Sequence, residues 1–217
     1  FREIAGVDVD SQDRVFVFCR SASPVPPLMV FDRDGRLLDS WGDGKFERPH
    51  GVSVAPDDSV FLVDDWGHAV YKFTPQGELL MTLGTPGKES DTGVTNSDYR
   101  TQKRVAGPFN MPTNVAFSSE GDIYVCDGYG NARVHRFSPD GKLLASWGEP
   151  GSGPGQFALP HGVAIDDSGK VFVSDRENTR IQIFSPNGEF LEEWTDVARP
   201  CEATFDKDGN LYTAEVG

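Results

Sequence analysis

VFDRDGRLLDSWG from Val30, KFTPQGELLMTLG from Lys72, RFSPDGKLLASWG from Arg136 and IFSPNGEFLEEWT from Ile183 are four versions of one phrase. Ahead of them stand versions of a second phrase: GVDVDSQDRVFVF from Gly6, GVSVAPDDSVFLVD from Gly51, NVAFSSEGDIYVCD from Asn114, GVAIDDSGKVFVSD from Gly162 and EATFDKDGNLYTAE from Glu202. Such self-similarity means that one supersecondary unit is copied and stacked. The copies also control for one another. Residues present in every copy serve the unit, and residues that break the pattern at an equivalent slot are candidates for function.

Within a unit, apolar and polar residues alternate, as in Val171-Phe172-Val173 and Ile181-Gln182-Ile183-Phe184, with Asp-Gly, Gln-Gly or Asn-Gly between runs. Period-two alternation bounded by such dipeptides predicts short antiparallel strands joined by hairpins. Gly35, Gly77, Gly141 and Gly188 supply the positive φ that these turns need. In the fourth copy the pattern predicts strands over residues 162–165, 171–174, 180–184 and 190–194. Pro112 to Pro160 spans 48 residues and Pro160 to Pro200 spans 40. Four-stranded units of about 40–50 residues are blades of a β-propeller.

The expected fold is therefore all-β, a six-bladed propeller of four-stranded antiparallel blades. One domain covers 1–217, with blade 1 at 1–46, blade 2 at 47–88, an insert at 89–106, blade 3 at 107–153, blade 4 at 154–197 and a partial blade 5 at 198–217. Four and a half blades do not close a ring, so the chain is expected to be part of a longer protein.

The formal net charge of −14 argues against nucleic acid and against an anionic membrane surface as partners. No apolar stretch approaches the roughly 18 residues of a membrane span, and no signal peptide is evident. The chain starts without Met, so the compartment is left open. Cys19 and Cys126 are expected as buried thiols, and no CxxC spacing points to a structural zinc site.

Two slots differ between copies. A Pro followed by a variable residue opens the innermost strand of blades 2 to 5: Pro49-His50, Pro112-Thr113, Pro160-His161 and Pro200-Cys201. Innermost strands line the channel, and blades 2 and 4 of a six-bladed ring lie about 120° apart. Histidines there predict two of three imidazoles of an axial zinc site, with the third on a sixth blade outside this chain. His68 is expected in a loop and His135 on an outward strand position. The second slot follows the second strand and holds Asp65, Tyr129 and Arg176, with Arg20 at the corresponding place in blade 1. The repeated Asp64, Asp127 and Asp175 beside it, with Asn131 and Asn178, are expected to hold the loop through backbone N–H groups. Tyr129 between Arg20 and Arg176 predicts a polar floor in which a tyrosinate is favoured, as a general base requires.

NARVHRFSPDGKLLASWG and ENTRIQIFSPNGEFLEEW resemble NHL repeats. The run from Gly107 to Phe184, with DGYGN, LPHG and DREN in order and RPHG upstream, resembles peptidyl-α-hydroxyglycine α-amidating lyase (peptidylamidoglycolate lyase). The resemblance implies a six-bladed propeller whose axial zinc is held by His50, His161 and a third His beyond Gly217. It also implies a structural calcium on the backbone carbonyls of Val7 and Val52. Tyr129 falls on the family's catalytic tyrosine, and Arg20 and Arg176 on its active-site arginines. The implied substrate is a small molecule or peptide carrying a carboxylate. The implied reaction is N-dealkylation of a peptidyl-α-hydroxyglycine to an amide and glyoxylate. Gly130 and Asn110 stand where the animal enzymes carry disulfide cysteines, and the insert at 89–106 is longer than the family leads one to expect. Two other readings stay open. One is a non-enzymatic NHL propeller that binds a protein or small ligand. The other is a calcium-dependent lactonase or esterase, whose site calls for acidic residues and Asn rather than His, Tyr and Arg.

Overall fold

The computed structural model describes residues 3–20 and 25–217. Its strands form four four-stranded antiparallel sheets and one two-stranded sheet, all in simple sequence order. The first sheet holds β1 (Ile4–Val9), β2 (Val15–Cys19), β3 (Leu28–Phe31) and β4 (Leu37–Trp41). The second holds β5 (Pro49–Val54), β6 (Val60–Asp64), β7 (Ala69–Phe73) and β8 (Leu79–Gly84), and the third β9 (Pro112–Phe117), β10 (Ile123–Asp127), β11 (Arg133–Phe137) and β12 (Leu143–Trp147). The fourth holds β13 (Pro160–Ile165), β14 (Val171–Asp175), β15 (Arg180–Phe184) and β16 (Phe190–Trp194), and the last pairs β17 (Pro200–Phe205) with β18 (Leu211–Glu215). This is the propeller expected from the repeats. The fourth sheet matches its predicted strands closely, with β13 starting two residues earlier, at Pro160.

Every four-stranded sheet repeats the same irregularity, a bulge where the third strand meets the fourth, at Phe31, Phe73, Phe137 and Phe184. A bulge bends the strand and increases local twist, which suits a blade that turns from the axis to the rim. Burial follows the same direction. Strands β6, β10 and β14 are buried on both faces, whereas β16 is exposed throughout.

The core lies between sheets. Phe61, Val63 and Val70 of the second sheet pack with Val115, Val125 and Phe137 of the third, and with Phe109 just ahead of it, in one cluster. Equivalent clusters join the first sheet to the second, the third to the fourth and the fourth to the last pair. A single blade cannot bury both of its faces, so stacking neighbours is what completes the core. The innermost strands β1, β5, β9, β13 and β17 are then consecutive neighbours around a shared cleft of about 680 Å³.

Candidate functional site

One backbone bond recurs at the mouth of this cleft. The N–H of Arg20 donates to Glu3 O (2.9 Å), Asp65 to Arg48 O (3.3 Å), Tyr129 to Met111 O (3.3 Å), Arg176 to Leu159 O (3.2 Å) and Val216 to Arg199 O (3.3 Å). The bond makes Arg20, Asp65, Tyr129 and Arg176 structural equivalents. It pairs each with the residue just ahead of its own blade's innermost strand or at its start. Beneath it lies a buried carboxylate in three blades. Asp64 accepts from the N–H groups of Glu47, Arg48 and Gly67. Asp127 takes Asn110 N–H and the Asn131 side chain, and Asp175 takes Ala158 N–H with the side chains of Asn178 and Arg180. These carboxylates pin the loops, as their repetition implied. Burial pushes the pKa of Asp64 and of Asp175 upward against those bonds.

On that frame His50 and His161 face each other, with ring centroids 5.1 Å apart. Each points Nδ1 at a backbone carbonyl of the next blade: His50 at Thr113 O (2.8 Å) and His161 at Cys201 O (2.7 Å). A carbonyl can only accept, so both Nδ1 atoms carry hydrogen and both Nε2 atoms are bare acceptors. The two Nε2 atoms meet the Tyr129 hydroxyl at 3.2 and 3.1 Å. That hydroxyl has one hydrogen for two acceptors. Burial, then Arg20, Arg48 and Arg176, lower the His50 pKa to about 4, although the bond to Thr113 raises it. Burial, then His50, lower that of His161 to about 3, with Arg176 and Arg20 adding to the effect against the Cys201 bond. Both rings are therefore neutral at pH 7.

Neutral imidazoles with Nδ1–H tied to carbonyls and convergent, undersupplied Nε2 atoms are the state in which histidines ligate metals. The donor set fits zinc as two ligands of a larger set. Among the described residues no group of three His, Cys, Asp or Glu gathers. Thr113 ties the two halves together. Its carbonyl holds His50, and its hydroxyl donates to His161 O (2.7 Å).

The predicted arginines stand around this centre. Arg176 lies 5.5 Å from the Tyr129 ring centroid and bonds Glu177 (2.9 Å), which also takes Arg199 (2.8 Å). Burial pulls the Arg176 pKa down, but contacts with Tyr129 and Glu177 outweigh it and the pKa rises. Arg20 donates Nε to Pro49 O (3.0 Å) and Nη1 to Glu3 (2.6 Å). A fourth guanidinium, Arg48, was not singled out by the repeats. It lies 5.8 Å from the Tyr129 centroid and 4.4 Å from that of Trp66, and it is clamped by Asp65.

Below the mouth, Val7 and Val52 sit on the neighbouring strands β1 and β5 and line the cleft together. The residue after the histidine slot is glycine at Gly6, Gly51 and Gly162, but Asn114 and Glu202 break that series. Asn114 reaches past Gly162 to bond Glu202 (3.0 Å) and takes Val163 N–H (3.0 Å). Burial at the channel wall pushes the Glu202 pKa up to about 8, although its side chain keeps access to channel space. The signal for this pair was present one residue beyond the slot that drew attention.

His68 lies in a loop as expected and receives Met111 N–H on Nδ1 (3.1 Å). The expectation for His135 is overturned. It is wholly buried against Phe109 and Phe137, with Ser146 Oγ at Nδ1 (2.7 Å) and Asp127 at Nε2 (3.3 Å). The reason is the buried loop carboxylate, which needs a donor from the third strand; in the fourth sheet Gln182 donates to Asp175 in the same way (3.2 Å). Cys19 and Cys126 are buried free thiols, and Cys201 is half-buried. Gly130 N–H donates to Asn110 O (3.0 Å), so these two positions are apposed without a disulfide.

The NHL repeat family matches residues 109–137 and 157–184. NHL repeat-containing protein 3 of Homo sapiens is 34% identical over 224 residues, covering 97% of this chain and 61% of that protein. Peptidyl-alpha-hydroxyglycine alpha-amidating lyase 1 of Drosophila melanogaster is 35% identical over 173 residues, 74% of this chain and 29% of that protein. The chain thus spans less than two thirds of either relative. Among solved structures, virginiamycin B lyase from Staphylococcus aureus superposes with a TM-score of 0.69 at 16% identity, covering 99% of this chain and 64% of that one. At that identity the likeness concerns the fold.

Proposed function

From a chain that carries NHL repeats and is similar over most of its length to amidating-lyase propellers, we propose a metal-dependent lyase centred on the channel mouth. It cleaves the N–C bond of a peptidyl-α-hydroxyglycine, or a related carbinolamide, to an amide and glyoxylate. The observation that carries this reading is the meeting of the two Nε2 atoms at the Tyr129 hydroxyl, at 3.2 and 3.1 Å.

His50 and His161 would be the chain's own zinc ligands, and zinc held there would supply Lewis-acid polarisation of the substrate's α-hydroxyl. Tyr129 Oη, as general base, takes the hydroxyl proton. The C–O bond becomes the carbonyl of glyoxylate, the C–N electrons pass to nitrogen, and the proton returns to that nitrogen to complete the amide. Arg176 and Arg20 stabilise the negative charge carried in turn by Tyr129 and by the substrate. The backbone carbonyls of Val7 and Val52 are the proposed ligands of a structural calcium.

The test is glyoxylate release from α-hydroxyhippurate by the full-length protein, with zinc content measured in parallel. Stoichiometric zinc that is lost in the His50→Ala/His161→Ala variant is expected, with a fall of at least about 100-fold in kcat for Tyr129→Phe. Zinc unchanged in the double variant overturns the metal assignment. A second reading is a non-enzymatic NHL propeller that binds a protein or small ligand, consistent with the 34% identity to NHL repeat-containing protein 3. Zinc-loaded wild-type protein that releases no glyoxylate would support it.

A further inference from the structure

Two buried carboxylate–arginine pairs in this chain look alike and are used differently. Arg180 bonds Asp175 through Nε, and its remaining nitrogens are all engaged, with Ser152 O, Glu193, Gly153 O and Gln156 O at 2.8–2.9 Å. Its side chain is 7% exposed. That is an arginine fully occupied in holding a loop. Among the described residues the Arg48 side chain hydrogen-bonds only Asp65, through Nε (2.7 and 2.9 Å) and Nη2. Nη1 has no partner among the described residues, and the side chain is 27% exposed.

Three features hold that unused edge in place. Asp65 is wholly buried and occupies the slot that Tyr129 and Arg176 fill in the next two blades. The guanidinium lies against both the Trp66 and Tyr129 rings, 4.4 and 5.8 Å from their centroids. The backbone departs too. Met111, Leu159 and Arg199, the equivalents of Arg48, have φ of 59°, 70° and 46°, whereas Arg48 does not adopt positive φ. Blade 1 places its acid ahead of the strand and its arginine after it, Glu3 and Arg20; blade 2 exchanges the two signs. The exchange brings a second guanidinium onto the Tyr129 ring, in addition to Arg176 at 5.5 Å.

We propose that Arg48 is a further substrate-binding residue, which takes the substrate's carboxylate through Nη1, and that Asp65 is its positioning residue. The inference rests on the lyase reading. In an α-hydroxyglycine the hydroxyl and the carboxylate share one carbon, so their oxygens lie about 3 Å apart by ordinary bond lengths. A hydroxyl delivered to Tyr129 Oη therefore brings the carboxylate among the cations around that ring. A planar, pre-oriented guanidinium loses little freedom on binding, which suits carboxylate recognition.

The test uses the full-length protein and the double variant Arg48→Gln/Asp65→Asn, which removes both charges without stranding a buried carboxylate. Binding of hippurate, a carboxylate with no α-hydroxyl, is measured by titration calorimetry. Turnover of α-hydroxyhippurate is compared with that of its carboxamide. The expected result is a loss of at least about tenfold in hippurate affinity, the scale of one charge-assisted hydrogen bond. A matching rise in KM for the carboxylate substrate is expected, with kcat falling by less than about threefold and little change in KM for the carboxamide. Equal hippurate affinity in variant and wild type overturns the assignment, as does wild-type protein that binds no hippurate. Loss of turnover on both substrates with hippurate binding intact also overturns it. Failure of wild-type protein to release glyoxylate sinks the lyase reading instead, while the hippurate titration still decides the role of Arg48.

Discussion

Glu202 differs from Gly6, Gly51 and Gly162 at the same slot by a carboxyl group that the channel wall must accommodate. Burial raises its pKa to about 8 in the folded protein, against 4.5 for the free group. The folded state therefore binds this proton more tightly than the unfolded chain does. Its contribution to stability is fully present below about pH 4.5 and is lost as the pH climbs through about 8. In Glu202→Gln that loss is absent, so thermal melts of the variant should hold their midpoint between pH 5 and 8.5 while those of wild type fall by several degrees. Parallel decline in both proteins would show that Glu202 ionises freely in the channel. Only part of this residue-level picture is legible in the sequence. His50 and His161 stand out because each follows a proline that blades 2 to 5 all repeat, and Tyr129 and Arg176 because they replace an Asp. Arg48 lies two residues before the histidine slot and Glu202 one residue after it. Their roles depend on Asp65 and Asn114 across the loop and across a blade, and no linear pattern records such partners.

His135 shows the same principle for an element. Strand β11 alternates as a strand should, and alternation assigned its histidine to the outside. The third strand lies between two others, however, and both of its faces meet protein. What His135 supplies is a donor to Asp127, the task of Gln182 toward Asp175. A glutamine should therefore serve in its place, because it keeps an N–H donor near the buried carboxylate. His135→Gln is expected to cost less than about 1 kcal/mol, whereas His135→Leu should cost about 1–3 kcal/mol for leaving Asp127 short of a partner. Urea denaturation of the full-length protein reads the difference. Equal losses would mean that packing against Phe109 and Phe137 matters and the hydrogen bond does not. The strands themselves were legible because period-two alternation and the Asp-Gly type of turn agree in every copy. The insert at 89–106 was not, because it has one copy only. Its order comes from single bonds to the third blade, such as Asn110 Nδ2 to Thr92 Oγ1 (2.9 Å) and Gln102 Nε2 to Asn131 Oδ1 (3.3 Å).

The geometry of the mouth depends on how blades dock, since His50 and His161 come from the second and fourth sheets and Tyr129 from the connection after β10 in the blade between them. Docking is visible at the outer turns. A Cβ on Gly188 would lie 2.5 Å from the Trp147 ring of the preceding blade, and one on Gly77 would lie 2.7 Å from Trp41. The repeated Trp and the repeated turn glycine are thus two sides of one contact between blades. In sequence the glycine was accounted for by its turn alone. The two causes can be separated at Gly35, which has the same left-handed backbone, φ 80° against 88° for Gly188. A Cβ on Gly35 would meet no heavy atom within 4 Å. Gly35→Ala should lose only the conformational cost of an L-residue at positive φ, about 1–2 kcal/mol. Gly188→Ala should lose that and about 1–3 kcal/mol more for forcing Trp147 aside. If the proposed zinc site is right, it should also weaken zinc retention, because the displaced contact joins the blade of Tyr129 to the blade of His161, whereas Gly35→Ala should leave zinc content unchanged. Denaturation midpoints and zinc content of the two variants check both parts. If the two alanines cost the same, the glycine serves its turn and the blades are held together by the apolar clusters between sheets. If Gly188→Ala loses stability but keeps its zinc, the mouth is braced locally, through Thr113 and the loop carboxylates, and is insulated from the rim.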